Sequence, residues 1–203
     1  MDHSSFILNL RERLNEALPG EAAQLKMAPS YRHMFPLNDK EGNAGVMILL
    51  YPVSGELTTV FMKRTEYPGV HSGQISFPGG RFEPEDSDLQ TTALRETEEE
   101  FGIAARNIEV LGKLTPLYIP VSRMEVHPFV GYLAERPMFS PDPREVERLI
   151  EIKIADLLQT SIVKTKPQNY KDYKGFAPYF EVHENHVWGA TAMILSEFLE
   201  IIR

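Results

Sequence analysis

The 203-residue sequence contains no cysteine, which excludes disulfides, thiolate nucleophiles and cysteine-based zinc sites. Long apolar runs are also missing, because the longest, residues 44–51, falls well short of the roughly 18 residues that indicate a membrane span. Bases are outnumbered, with 21 Lys and Arg against 29 Asp and Glu, and the net charge of −8 disfavours binding to nucleic-acid phosphates or anionic lipid. We expect a cytoplasmic protein with neither a nucleic-acid nor a membrane partner.

The sequence also lacks the short motifs of several large enzyme classes. It contains no Gly-x-Ser-x-Gly elbow, no phosphate-binding Gly-x-x-x-x-Gly-Lys loop, no Gly-x-Gly-x-x-Gly fingerprint and no His-Glu-x-x-His pair. Serine hydrolase, P-loop, dinucleotide-binding and zinc-protease interpretations therefore have no motif support.

Hydrophobic periodicity indicates one mixed α and β domain. An amphipathic stripe starting at Phe6 predicts a helix that ends at Leu18-Pro19-Gly20, and residues 26–43 are polar and predict a covering loop without chemistry of its own. The later elements follow without regular βαβ alternation, which favours a sheet covered by helices on both faces. The predicted strands are residues 45–51, 57–63, 108–117, 126–133, 149–154, 179–182 and 187–188, and a final helix is predicted at residues 190–202.

Acidic residues concentrate between Arg81 and Glu100, where eight acids accompany two bases. Ser87 followed by Gln90 forms a capping-box pattern and Gly102 is a typical helix stop, which together predict a helix over residues 88–101. On that helix Glu96, Glu99 and Glu100 stand at i, i+3 and i+4, so their carboxylates share one face and repel each other.

A cation would offset this repulsion, and oxygen-only ligation suits Mg²⁺ or Mn²⁺ and thus a phosphate-bearing substrate. Arg95 can reach Glu99 at i+4 and orient its carboxylate. Just before the helix, the run from Phe77 through Pro78 to Gly79 and Gly80 is a glycine turn where backbone can approach a ligand closely.

The glycine turn and residues 95–103 together resemble the Nudix box, whose second half reads Arg-Glu-hydrophobic-x-Glu-Glu-x-Gly-hydrophobic. Every charged position of that half is present, with Thr97 in place of the hydrophobic residue. One extra residue separates Gly80 from Arg95, and Asp86 is the acid nearest to the first glutamate of the box. This insertion is similar to the coenzyme A pyrophosphatase branch of the family.

Other segments resemble the same branch. They are residues 61–65 followed by Gly73, residues 126–131 and residues 188–192, with Gly69 at a position where the branch usually carries a base. The resemblance implies a Nudix α/β/α sandwich over residues 44–203, with the N-terminal helix and loop of residues 1–43 as an added part of the same domain. It also implies hydrolysis of the diphosphate of coenzyme A or an acyl-CoA, with a homodimer left open.

The same resemblance implies roles for individual residues. Glu96, Glu99 and Glu100 would hold Mg²⁺ or Mn²⁺ together with the Gly80 carbonyl, and Arg95 and Glu99 would be catalytic. The residues expected to bind the nucleoside diphosphate substrate are Arg64, Arg81, Gly79 and Gly80. Hydrolysis of ADP-ribose, NADH or dinucleoside polyphosphates stays open, as does a non-catalytic nucleotide-binding regulator.

Several further polar residues allow a functional and a structural interpretation. Glu145 or Glu147 could serve as a loop general base, although an exposed helix or turn is the simpler interpretation. His183 and His186 flank a predicted turn at residues 184–185 and are interpreted as part of a hairpin, and His71 either lines the pocket or lies in a turn. A set of lysines is a candidate site for the 3′-phosphate of coenzyme A: Lys164, Lys166, Lys171 and Lys174.

Overall fold

The structure, a computed structural model, describes residues 3–35, 39–66, 68, 72–169 and 173–203. The helices within these ranges are α1 (His3–Leu14), α2 (Gly20–Leu25), α3 (Leu89–Phe101), α4 (Ile154–Leu157) and α5 (Gly189–Ile202). The first strands are β1 (Gly42–Val53), β2 (Glu56–Arg64), β3 (Ile75–Ser76), β4 (Gly79–Arg81) and β5 (Glu109–Lys113). The others are β6 (Leu117–Ile119), β7 (Met124–Tyr132), β8 (Val146–Lys153), β9 (Val163–Pro167), β10 (Phe176–Val182) and β11 (Asn185–Trp188). None of these helices is long and apolar enough to cross a membrane.

A mixed sheet is centred on β1. The main order is β3-β2-β1-β7-β5, with β4 on β1, β6 on β7 and β8 on β2, and β9, β10 and β11 form a second sheet. β1 runs parallel to β7 and antiparallel to β2, which covers its second half from Leu50 to Val53. β4 pairs with the first half of β1, where Gly45 is opposite Gly80. The glycine turn is thereby fixed at the centre of the sheet.

Both faces of this sheet are buried. Along β1, Met47, Leu49 and Tyr51 contribute to one apolar cluster, whereas Ile48 and Leu50 contribute to the other. The alternation follows from the two-residue period of a strand, and it explains why β1 reads as an unbroken apolar run. The cluster on one face includes residues of α3 and the cluster on the other includes residues of α1 and α5. The predicted sheet covered by helices on both faces is confirmed.

Helix α3 begins and ends close to the predicted bounds, but its cap differs. The Asp88 carboxylate, rather than Ser87, caps the helix by accepting the Thr91 N–H at 2.8 Å, so the predicted capping box is wrong. Gly102 ends the helix with a φ of 70°, as the left-handed C-cap position requires. The helix lies very close to β1, because a Cβ on Gly45 would approach the Leu89 carbonyl oxygen to 2.4 Å.

Two features of the N-terminal region differ from the prediction. The first helix ends at Leu14 instead of Leu18, and α2 follows. The buried Glu197 of α5 holds this region in place, because it accepts hydrogen bonds from Gly20 N at 3.2 Å and from Gln24 Nε2 at 2.9 Å. Helix α1 packs into the same apolar cluster as α5 through Ile7, Leu10 and Leu14. The division at residue 43 stays a prediction.

Two predicted strand boundaries are also corrected. Residues 108–117 form two strands, β5 and β6, instead of one, because Pro116 between them has no N–H to donate to the ladder. In the second sheet the hairpin turn consists of His183 and Glu184, with φ of 44° and 66°. The turn therefore lies one residue earlier than predicted, while the hairpin interpretation of the two histidines is confirmed.

Candidate active site

The three glutamates of α3 occupy different environments. Glu100 is 1% exposed, Glu96 is partly buried, and the Glu99 side chain is 57% exposed. Among the described residues no three His, Asp or Glu side chains converge into a ready-made metal cage. The assignment of these three residues as metal ligands therefore stays a prediction.

Glu100 is held at the glycine turn by two donors. The Gly79 N–H donates to its Oε2 at 2.8 Å, and Arg64 Nη1 lies 3.2 Å from its Oε1. Burial raises the pKa of Glu100 to about 8, although Arg64 and the Gly79 amide oppose that rise. The carboxylate is a buried oxygen donor whose negative charge is only partly compensated by protein groups, which suits an added cation.

Glu96 packs against the neighbouring glycine. A Cβ on Gly80 would lie 2.2 Å from Glu96 Oε1, so the space beside this carboxylate exists only because residue 80 has no side chain. Burial raises the pKa of Glu96, against the lowering effect of the nearby Arg95. A hard divalent cation suits the carboxylate oxygens of Glu96 and Glu100, which both lie beside the glycine turn.

Arg95 is anchored by Asp86, which in the sequence is marked only as the acid nearest to the first glutamate of the box. Its Nε and Nη2 donate to the two oxygens of Asp86 at 3.0 and 3.1 Å. Its Nη1 donates to Glu96 at 2.9 Å and reaches Glu99 only at 3.4 Å. The main partner of Arg95 is therefore Asp86, while the predicted contact with Glu99 exists but is longer.

Asp86 is 6% exposed and its carboxylate is fully engaged. Besides Arg95, it accepts the Thr92 hydroxyl at 2.8 Å and the Glu83 N–H at 3.0 Å. The Arg95 guanidinium holds the pKa of Asp86 well below its usual range. One signal in the sequence could have identified it, namely that the extra residue before Arg95 leaves Asp86 as the nearest acid in the altered half of the box.

Arg64 connects the helix to a second glutamate. Its Nη2 lies 3.4 Å from Oε2 of Glu145, which lies in a turn just before β8. Glu147 is on β8 instead, where it accepts from Lys63 Nζ at 2.7 Å. Of the two candidate loop bases, the structure thus brings only Glu145 to Arg64 and Glu100.

A cavity of about 570 Å³ opens beside the glycine turn, within the size range of ligand pockets. The sequence-predicted substrate residues Arg64, Arg81, Gly79 and Gly80 all line it. The backbone carbonyl of Arg81 also accepts a hydrogen bond from Arg95 Nη2 at 3.0 Å. The four residues therefore lie together at the end of the cavity nearest to α3.

The N-terminal segment also contributes to the lining of this cavity. Pro29, Tyr31, Arg32 and Phe35 line it together with residues of α5, and the expectation that residues 26–43 carry no chemistry of their own stays a prediction. Backbone bonds fix this segment, because Ser30 N donates to the Phe176 carbonyl at 2.9 Å. Contacts between residues so distant in sequence leave no local signal.

The candidate lysines that the structure describes have different surroundings. Lys164 pairs with Glu181, and Lys174 is exposed. Lys166 lies 4.9 Å from the ring centre of Trp188, and this tryptophan lines the cavity. Burial lowers the pKa of Lys166. Three other positions considered in the sequence lie outside the described residues: Gly69, His71 and Lys171.

Comparison with known proteins identifies the family of the chain. The family model of the NUDIX domain matches residues 42–175. The chain is 33% identical over 167 residues to NudL, an uncharacterized Nudix hydrolase of Yersinia pestis (strain Pestoides F), covering 82% of this chain and 81% of the relative. NudL of Yersinia pseudotuberculosis serotype O:1b (strain IP 31758) gives the same values.

Solved structures show a similar fold. An Ap4A hydrolase of C. elegans in a binary complex has a TM-score of 0.50 at 16% identity, over 58% of this chain and 84% of that chain. A MutT/nudix family protein from Enterococcus faecalis also has a TM-score of 0.50 at 16% identity, over 100% of this chain and 74% of that chain. At this level of identity the similarity concerns the fold alone.

Proposed function

Since the chain belongs to the Nudix hydrolase family, we propose that the diphosphate it hydrolyses is that of coenzyme A or an acyl-CoA. The products are 3′,5′-ADP and 4′-phosphopantetheine or its acyl derivative. One observation carries the proposal: Gly79 and Gly80 contact the carboxylates of Glu100 and Glu96 and also line the cavity. Residues 61–65, Gly73 and the glycine turn, which resemble the coenzyme A branch, support this substrate.

Nudix hydrolases generally use divalent metal ions, and we assign Mg²⁺ or Mn²⁺ to Glu96, Glu99 and Glu100, with the Gly80 carbonyl as a further oxygen donor. The buried, partly compensated carboxylates of Glu96 and Glu100 fit such an ion. When bound, it supplies positive charge that offsets the charge of the diphosphate, and it acidifies water.

The protein side chains then divide the remaining tasks. Arg64 and Arg81 at the cavity end bind phosphate oxygens through charge-assisted hydrogen bonds. Arg95, fixed by Asp86, holds the Glu96 carboxylate in place. A water oxygen bonds to one phosphorus as the bond from that phosphorus to the bridging oxygen breaks, and a carboxylate accepts the proton of the water.

We assign the proton acceptor to Glu99, with Glu145 as the competing base. Glu99 has the most exposed carboxylate of the three on α3, so it can return its proton to bulk water after each turnover. Glu145 is also solvent-accessible, and Arg64 holds it close to Glu100. Separate substitution of the two residues distinguishes these roles.

The test is a hydrolysis assay with Mg²⁺ or Mn²⁺ and a panel of coenzyme A, acetyl-CoA, ADP-ribose, NADH and diadenosine polyphosphates, with products identified by mass. We expect 3′,5′-ADP from the coenzyme A compounds. Cleavage of another panel member alone would retain the Nudix chemistry and reject this substrate. No turnover of any member in the presence of metal would favour a nucleotide-binding regulator.

Substitution of Glu99 tests the assigned role. Glu99→Gln should lower kcat by about 10²–10⁴-fold, the contribution typical of a general base, while circular dichroism stays unchanged. Glu98→Gln is the matched control, because Glu98 accepts the Ala105 N–H at 3.0 Å and glutamine retains an acceptor there. Normal turnover of a folded Glu99→Gln protein would reject the assignment, and the same loss in Glu145→Gln alone would move the role to Glu145.

A cytoplasmic location remains part of the proposal.

A further inference from the structure

We propose that the cavity between the N-terminal segment and α5 holds the pantetheine arm and acyl group of the substrate, so that these elements select long-chain acyl-CoA over free coenzyme A. This inference rests on the proposed function and extends it to the selection of the acyl group. It assigns a role in specificity to residues 29–35, which lie outside the matched family region of residues 42–175.

The walls of the cavity are mainly apolar. Tyr31 and Phe35 form one side, with their rings in edge contact at 6.2 Å between centres. On α5 the lining residues include Ala190, Met193 and Ile194. Burial of a hydrocarbon chain between such surfaces is favourable and grows with each methylene group, whereas a charged group placed there loses its hydration.

Among the described lining residues, Arg32 is the one cation outside the glycine-turn region, which favours a mainly uncharged occupant over the adenosine 3′-phosphate. The cationic residues among the described lining residues are Arg32, Arg64 and Arg81. Arg64 is paired with Glu100, and Arg32 donates to the Tyr118 carbonyl at 2.7 Å. Arg64 and Arg81 lie at the glycine turn, where the diphosphate binds in the proposed function. Apart from Arg32, which is already bonded to the Tyr118 carbonyl, the rest of the lining is mainly apolar and suits the uncharged acyl end of the substrate.

The wall formed by the N-terminal segment is bonded to β10 at Ser30. Ser30 pairs with Phe176 through two bonds, because its N–H donates to the Phe176 carbonyl at 2.9 Å and its hydroxyl accepts the Phe176 N–H at 3.0 Å. The neighbouring Tyr31 is buried. Because the segment is bonded to β10 at Ser30 and buried at Tyr31, we expect this wall to limit the length and thickness of the acyl chain that the cavity accepts.

The test compares kcat/KM for coenzyme A and a series of saturated acyl-CoA thioesters of increasing chain length, below their micellar concentrations. For the wild-type protein kcat/KM should rise with chain length, by up to about fourfold per methylene, until the cavity is full. Ala190→Leu, which fills the cavity, should lower the ratio of kcat/KM for the preferred thioester to that for coenzyme A at least tenfold. Ala155→Leu is the matched control, because Ala155 is also the second residue of a helix but is exposed and outside the cavity.

A second variant covers the case in which Ala190→Leu fails to fold. Val121 is 37% exposed at the cavity wall, so Val121→Phe narrows the cavity with little effect on the core, and it should lower the same ratio. A flat chain-length profile, or a ratio unchanged in both cavity variants while coenzyme A is still hydrolysed, overturns the inference and leaves the proposed function intact. Absence of hydrolysis of every coenzyme A compound by the wild-type protein overturns both.

Discussion

Replacement of Asp86 should release Arg95 and disable the site while the fold persists. Asp86→Asn removes the negative charge that both Arg95 Nε and Nη2 contact at 3.0 and 3.1 Å. The guanidinium then retains Glu96, Glu99 and the Arg81 carbonyl, but it loses the partner that fixes its plane. Because the Arg95 guanidinium positions the Glu96 carboxylate, loss of the Asp86 charge should displace Glu96 even though Asp86 does not contact it.

The magnitude follows from burial. Removing one partner of a buried ion pair costs about 3–5 kcal/mol, and since the Arg95 side chain is 23% exposed and has other partners, we expect about 2–3 kcal/mol here. A domain with a typical unfolding free energy of about 5–15 kcal/mol remains folded after such a loss. Loss of a residue that orients a metal ligand typically lowers activity by about 10–100-fold, and since Glu96 is a proposed metal ligand, this is the fall in kcat that we expect.

The assay combines urea unfolding with the hydrolysis assay, and pH supplies a second readout. The pKa of Asp86 lies below its ordinary value of 3.8, so its stabilisation is present above that value and is lost as pH falls through the lower, folded-state pKa. The difference in unfolding free energy between wild type and Asp86→Asn should therefore shrink below about pH 4. Asp88→Asn is the control, because asparagine caps a helix as well as aspartate does. Equal stability and turnover in Asp86→Asn and wild type would refute the reasoning.

Two further predictions concern the glycine turn and its glutamates. Burial raises the pKa of Glu100 from 4.5 to about 8. The contribution of the protonated Glu100 to the stability of the fold is therefore fully present below pH 4.5 and is lost as pH rises through 8. Metal-free protein should therefore lose about 2–3 kcal/mol of unfolding free energy from this group between pH 6 and pH 9. Urea unfolding in a chelator should show that Glu100→Gln lacks this loss and that Glu98→Gln retains it. Gly80→Ala should displace Glu96, because the new Cβ would lie 2.2 Å from its Oε1. We expect kcat to fall by roughly 100-fold with little change in Tm. An unchanged kcat would show that the position of Glu96 does not matter for turnover.

Helix α3 could be predicted because its signals are local. The glycine at position 102 adopts the left-handed conformation that stops a helix, and the spacing of Glu96, Glu99 and Glu100 follows from the helical period alone. Only the cap was misassigned, since Ser87 and Asp88 are both good caps and the choice depends on which side chain reaches Thr91. β1 could be predicted for a similar reason, because a strand buried on both faces reads as one apolar run.

The parts that could not be predicted depend on contacts between distant residues. The wall of the cavity formed by residues 29–35 is set by the bonds between Ser30 and Phe176, and no local pattern marks either residue. The break between α1 and α2 depends on Glu197, far along the chain, which accepts the Gly20 N–H. Local periodicity describes which residues face the core, but it does not show which segments meet across it.

The three carboxylates illustrate how tertiary contacts change the meaning of a local pattern. Helical spacing treats Glu96, Glu99 and Glu100 as equivalent and predicts mutual repulsion. In the folded chain Glu100 is buried against an amide and Arg64, Glu96 shares Arg95, and Glu99 faces solvent. A carboxylate that exchanges protons with water needs solvent access, whereas one that stays an oxygen donor benefits from fixed partners. The difference in exposure therefore separates Glu99, the proposed proton acceptor, from Glu96 and Glu100, which are held at the glycine turn.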